Sequence, residues 1–132
     1  MSWTSLLRNP EGIASLYEGV PPNLVGVHLH EVALQEDGPT LRLRLDLPRY
    51  PDRPPRKWTA QGFNTVQLEL SLSGLETVTL EGFGTHIAAD VSLGGEGDGK
   101  GILVNVISSG TRIRAVAATA FVSKLSAYVN EV

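Results

Sequence analysis

The chain has 132 residues, of which 42% are hydrophobic and 19% are charged, and its formal net charge is −3. These values are typical of one globular domain; they exclude wholesale disorder, and the slight acidity gives no support for nucleic-acid binding. The chain contains no cysteine, which excludes disulfides, thiolate catalysis and cysteine-ligated zinc.

A single short helix is predicted near the start, at residues 9–17. Asn9 can act as the N-cap, and Pro10 suits the first helical position, where a missing N–H costs nothing. The apolar residues of this segment share one helical face: Ile13, Leu16 and Tyr17.

The hydrophobic pattern then changes to a period of two, which is typical of half-buried strands. Strands at residues 25–34 and 41–47 flank an Asp37-Gly38 turn and predict a hairpin. Proline interrupts the pattern between residues 48 and 62, so this segment is predicted to be a connection. A further strand is predicted at residues 66–72, and Gly74 is interpreted as its end. Three more are predicted at residues 78–80, 87–93 and 102–106.

The last apolar stretch, residues 112–122, is consistent with either a strand or the start of a helix. Phe121, Leu125 and Tyr128 fit helical spacing, but β-branched residues among the alanines favour a strand. Whether residues 122–132 are strand or helix stays open. The chain is therefore predicted to be mainly β (α+β), one domain over residues 1–132. About seven antiparallel strands would fold as a sandwich or a partly open barrel, with one short N-terminal helix.

Two patterns resemble ligand sites but lack essential members. His28 and His30 share one face of a strand, yet no further ligands cluster in the sequence and the only other histidine is His86; ordinary strand residues and no metal are predicted. Residues 94–100 have phosphate-loop spacing, but glycine stands at position 101 where that motif needs Ser or Thr, and a strand follows. A hairpin loop is predicted there.

No catalytic constellation is recognisable. The chain has no Gly-x-Ser-x-Gly motif and no histidine in a triad order. The sequence therefore predicts a protein without catalytic residues or cofactors, which binds a partner and is not an enzyme.

The most distinctive segment, residues 46–58, combines prolines, basic residues and aromatic rings. A stiff loop that presents Tyr, Trp and Arg is typical of a protein-binding surface. The alternative is that the aromatic rings fold back against the sheet while the arginines are solvated. The candidate partner-binding residues are Tyr50, Asp52, Arg53, Arg56, Lys57 and Trp58.

Several segments of the chain, taken together with their order and spacing, are similar to those of a known family. They are residues 3–10, 30–34, 37–41, 45–48, 51–58, 61–67 and 123–128, and they include Asp37-Gly38-Pro39 and Pro54-Pro55-Arg56-Lys57-Trp58. Together they resemble the immunity protein 50 family. The resemblance implies a bacterial protein that binds and neutralises a polymorphic toxin, and it carries over no catalytic or binding residues.

The predicted function is thus non-catalytic neutralisation of a cognate toxin protein. A β domain that binds a small ligand or a carbohydrate is the alternative. No apolar run approaches the roughly 18 residues of a membrane span, and the first residues lack the pattern of a signal peptide. A cytoplasmic protein with no membrane or nucleic-acid partner is predicted, with its oligomeric state open.

Overall fold

The computed structural model describes residues 3–18, 20–95 and 101–131. Six antiparallel strands form one sheet that closes on itself in the order β1-β2-β3-β6-β5-β4, which confirms the mainly β class. The strands are β1 (Val27–Gln35), β2 (Thr40–Asp46), β3 (Thr65–Glu81), β4 (Ile87–Gly95), β5 (Ile102–Ile107) and β6 (Arg112–Tyr128). The helices are a 3-10 turn (Trp3–Leu6), α1 (Glu11–Leu16) and α2 (Arg56–Ala60).

The interior of the closed sheet is filled by the apolar residues of the period-two pattern. In β2, Leu41, Leu43 and Leu45 are fully buried, while Arg42 and Arg44 lie on the outer face. β3 continues this arrangement with four buried apolar residues: Val66, Leu68, Leu70 and Leu72.

The sheet closes where a sandwich or a partly open arrangement was predicted. Closure depends on a short pairing of β1 with β4, from Val27 opposite Ala89 to Leu29 opposite Ile87. The ring is irregular because β3 and β6 pair along their whole length whereas β5 covers only the first part of β6.

The described residues form six strands where about seven were predicted, because β3 does not end at Gly74. Gly74 has a φ of +68°, and a Cβ at this position would lie 2.7 Å from the Cβ of Ala118 on β6. Glycine lets the strand bend while its pairing with β6 continues. The two segments predicted on either side of Gly74 are therefore one strand of 17 residues.

Replacing Gly74 with alanine is expected to destabilise the protein. The left-handed φ alone costs about 1–2 kcal/mol for an L-residue, and the contact with Ala118 adds to it. Urea denaturation of the variant gives the change in the free energy of unfolding. Gly84→Ala is the control, because its Cβ would have no atom within 4 Å; an equal loss in both variants would contradict the argument.

The question left open for residues 122–132 is answered by β6 as far as Tyr128; residues 129–131 form neither strand nor helix, and residue 132 lies outside the described residues. This strand continues to Tyr128, which lies opposite Thr65 of β3. The helical spacing of Phe121, Leu125 and Tyr128 has no structural counterpart, since β3 offers a partner for the backbone along the whole segment.

The helical predictions need two corrections. Asn9 is not the N-cap of α1: its amide Nδ2 donates to the carbonyl of Val122 and its Oδ1 accepts from the Val122 N–H, both at 2.9 Å. It thereby occupies an edge of β6 that β5 leaves unpaired. Helix α2 was not predicted; it begins after Pro55, where the missing N–H of proline is harmless.

The remaining connections agree with the predicted turns where they are described. β4 ends at Gly95 and β5 begins at Ile102, while residues 96–100 of the predicted glycine-rich loop lie outside the described residues. None of the helices in the described ranges has the length and hydropathy needed to cross a bilayer.

Candidate functional site

The loop from residue 48 to residue 62 joins β2 to β3, and its aromatic residues turn toward the core. Trp58 is only 9% exposed and belongs to the hydrophobic core. Tyr50 is half-buried, with its ring centroid 6.5 Å from that of Trp58. Both rings therefore fold back against the sheet, as the second of the two interpretations of this loop predicted, and do not project into solvent.

The charged residues of the same loop remain at the surface. Asp52, Arg53, Arg56 and Lys57 are all exposed. Arg53 Nε lies 2.9 Å from Glu18 Oε1 on the segment after α1, an exposed pair of small energetic value. Residues 48–62 hold four basic residues and one acidic residue, a net charge of +3 in a chain of net charge −3.

Arg49, which was not among the predicted binding residues, holds this loop against the N-terminal segment. Its carbonyl accepts a 2.5 Å hydrogen bond from the Tyr17 hydroxyl. Its guanidinium lies 5.1 Å from the centre of the Tyr17 ring and donates to the carbonyl of Val20. Burial raises the pKa of Tyr17 to about 12, although the Arg49 charge lowers it in part. The exposed charged residues of the loop therefore belong to a backbone segment that the contacts of Arg49 hold in place.

An open groove lies beside this loop, with a volume of about 470 Å³. Its apolar walls come from α1, from α2 and the residues after it, and from the end of β6. They include Leu16, Trp58, Phe63, Leu125 and Ala127, and the exposed Lys57 also lines the groove. The groove thus joins an apolar surface to the loop of residues 48–62, which we call the basic loop.

A second group of polar residues meets on the outer face at the same end of the sheet. His30 Nε2 lies 2.8 Å from Asp46 Oδ2, and the Tyr128 hydroxyl donates to the same oxygen at 2.5 Å. The His28 ring stacks on His30 with centroids 4.0 Å apart. Asp46 is almost fully buried under these side chains. We call His28, His30 and Asp46 the histidine–aspartate cluster.

Burial and mutual contacts shift the pKa values of His28 and Tyr128 in this group. Burial, with His30 beside it, lowers the pKa of His28, and Asp46 opposes that shift. Burial raises the pKa of Tyr128 to about 12, assisted by its hydrogen bond to Asp46 and by the Asp46 charge. The Asp46 carboxylate thus accepts a hydrogen bond from the Tyr128 hydroxyl, which stays protonated at neutral pH.

Asp46 was not predicted to lie beside the histidines, because a β-bulge sets the register of β1 and β2. Leu29 lies opposite Leu45 and Glu31 opposite Arg44, so His30 is the extra residue in β1. As a result Asp46 lies opposite His28. The sequence does contain a signal of this bulge. The core positions of β1 are the odd-numbered Val27 and Leu29, but the next one is the even-numbered Val32, so the alternation of apolar residues shifts by one.

The comparisons with known proteins point to one family. Residues 9–128 match the family model described as Immunity protein 50. No curated protein and no solved structure matches the chain. The match covers nearly all of the sequence, including the basic loop, the groove and the cluster. The chain belongs to the immunity protein 50 family.

Proposed function

We propose that this protein is an immunity protein that binds a cognate bacterial polymorphic toxin and neutralises it without catalysis, as one domain over residues 1–132. The observation that carries the proposal is the family match over residues 9–128. Neutralisation by occlusion needs a complementary surface and no reactive group. The absence of cysteine agrees with the reducing cytoplasm in which we place the protein.

For the surface that contacts the toxin, we propose the basic loop with its adjoining groove. Arg53, Arg56 and Lys57 are exposed on a connection that Arg49 anchors at both its carbonyl and its guanidinium. An anchored loop loses little conformational entropy on binding. Arginine is enriched in protein interfaces, and these positive charges favour an acidic partner surface.

The aromatic residues have an indirect part in this proposal. Trp58 packs in the core and forms one wall of the groove, and the centre of the Tyr50 ring lies 6.5 Å from that of Trp58. A toxin segment that carries acidic residues next to an apolar side chain would therefore pair with the loop and the groove at once. Asp52 is exposed, lies 3.7 Å from Arg49 and would belong to the same contact surface.

The groove also supports the alternative of a small-ligand-binding domain. Its volume of about 470 Å³ lies within the range of ligand pockets, about 300–1,000 Å³. Titration with a ligand library in the absence of any partner tests this alternative. Saturable binding of a small molecule, together with no complex with the toxin, would favour it.

The first test of the immunity role uses the protein encoded beside this one. Its expression alone is expected to inhibit growth, and co-expression with this chain is expected to restore it. The two should also co-purify and titrate as a stable complex. A neighbour that is harmless alone and forms no complex would contradict the role.

The second test maps the surface by reversing charge. Arg53→Glu/Arg56→Glu is expected to weaken toxin binding at least about 10-fold, mainly through slower association. Arg112→Glu/Arg114→Glu is the matched control, because it changes the net charge equally at exposed positions of β6. Association and dissociation rates are measured for both variants. Equal losses, or none, would place the interface elsewhere.

A further inference from the structure

We propose that the histidine–aspartate cluster is a binding site for a divalent transition-metal cation, with Zn²⁺ as the best match. The site is independent of the toxin-binding surface proposed above. It consists of a ring nitrogen of His28, Nε2 of His30 and Oδ2 of Asp46.

The geometry of the three ligands is close to what zinc requires. One ligand atom from each residue lies within 4.8 Å of the others, and His30 Nε2 and Asp46 Oδ2 are 2.8 Å apart. Zinc–ligand bonds of about 2.0–2.1 Å place tetrahedral ligands roughly 3.3 Å apart. Small side-chain adjustments therefore bring all three within bonding distance. The cation takes the position of the hydrogen between His30 and Asp46, and that proton leaves to solvent.

The hydrogen bonds around Asp46 do not explain the position of His28, because the His28 ring takes no part in them. Within the described residues its ring has no hydrogen-bond partner, although it stacks on His30 at an angle of 24° and lies opposite Asp46 in the ladder. The bulge at His30 is a second, independent feature. It adds a residue to β1 where two imidazoles and a buried carboxylate converge, and bulges often re-aim side chains next to functional sites.

The carboxylate is also oriented by neighbours that would not themselves bind the cation. The Tyr128 hydroxyl donates to Asp46 Oδ2, and Gln67 Nε2 lies 3.4 Å from Asp46 Oδ1. Arg44 in turn donates from its guanidinium to the side-chain oxygen Oε1 of Gln67 at 3.4 Å. Ligands in metal sites are commonly held by such an outer layer of hydrogen bonds.

The ligand set selects the class of cation. Two imidazoles and one carboxylate suit zinc and its first-row neighbours, whereas Mg²⁺ and Ca²⁺ prefer oxygen ligands alone. Three protein ligands leave a fourth position to solvent, an arrangement that zinc tolerates well. His28 and His30 are both partly exposed, so a cation can enter from the outer face.

Isothermal titration of the untagged, chelator-treated full chain with Zn²⁺ tests the proposal. One zinc per chain is expected to bind, and the melting temperature is expected to rise with zinc concentration. His28→Gln and Asp46→Asn are each expected to weaken binding at least about 10-fold. Glu31→Gln is the matched control: it removes an exposed carboxylate next to His30 and should leave the affinity unchanged.

Three outcomes would overturn the site. The first is that no saturable zinc binding is observed. The second is full zinc affinity in Asp46→Asn, which would leave only a surface histidine pair as the site. The third is that Glu31→Gln loses as much zinc affinity as His28→Gln and Asp46→Asn. If Asp46→Asn does not fold, the visible spectrum of the unmodified chain with Co²⁺ decides. Intense tetrahedral bands support the site, and weak octahedral bands overturn it. Loss of toxin binding with zinc binding intact would leave this inference standing.

Discussion

Replacing Trp58 with alanine is expected to lower the free energy of unfolding by about 3 kcal/mol, at the lower end of the range for truncation of a buried tryptophan. The ring is 9% exposed and packs in the core, but it also forms a wall of the open groove, so part of the space it leaves can fill with water. Urea or thermal denaturation measures the loss.

Lys57→Ala is the matched control, since Lys57 precedes Trp58 in α2 and is exposed; it should change stability by less than about 0.5 kcal/mol. Affinity for the toxin per folded molecule is the second measurement. If Trp58 only supports the loop, that affinity changes little while stability falls. A stable variant that no longer binds would instead make Trp58 part of the contact surface.

Replacing Asp46 with alanine is expected to cost about 2–4 kcal/mol, because the half-buried groups that bond to this buried carboxylate lose their partner. The Tyr128 hydroxyl and His30 Nε2 both lie within hydrogen-bond distance of Asp46 Oδ2. These bonds join β1, β2 and β6 on the outer face of the sheet, so their loss loosens one end of the ring.

The control for this prediction is Asp52→Ala, which removes a carboxylate of which 81% is exposed. It should change stability by no more than about 0.5 kcal/mol. Chemical denaturation of both variants, treated with chelator so that bound metal does not contribute, gives the comparison. Equal stability of the two variants would show that the hydrogen bonds to Asp46 have little net value.

The course of β3 shows how far local pattern reasoning reaches. Alternating leucines predicted the buried face of residues 66–72, and the structure confirms it. Glycine at position 74 was interpreted as the end of that strand, because glycine weakens strands and often marks a turn. Its real role depends on Ala118, a residue 44 positions later in the chain whose Cβ leaves no space for another side chain.

The candidate sites show the same limit. The basic loop was visible as a local composition of proline, arginine and aromatic residues, and the exposure of its charges follows from their hydration. The direction of Trp58 and the anchoring of the loop by Tyr17 and Arg49 depend on the packing of α1 against a distant connection. The partnership of Asp46 with two histidines depends on a single extra residue in β1.

The sequence by itself determined the mainly β class, most of the strand positions and the family. Period-two burial and turn chemistry are local properties, and the family match depends only on the order of residues. Only the tertiary structure decided that the sheet closes, that β6 stays extended to Tyr128, and that His28, His30 and Asp46 meet. Each of these depends on pairing between residues far apart in the chain, and a register shift of one residue moves every side chain to the other face.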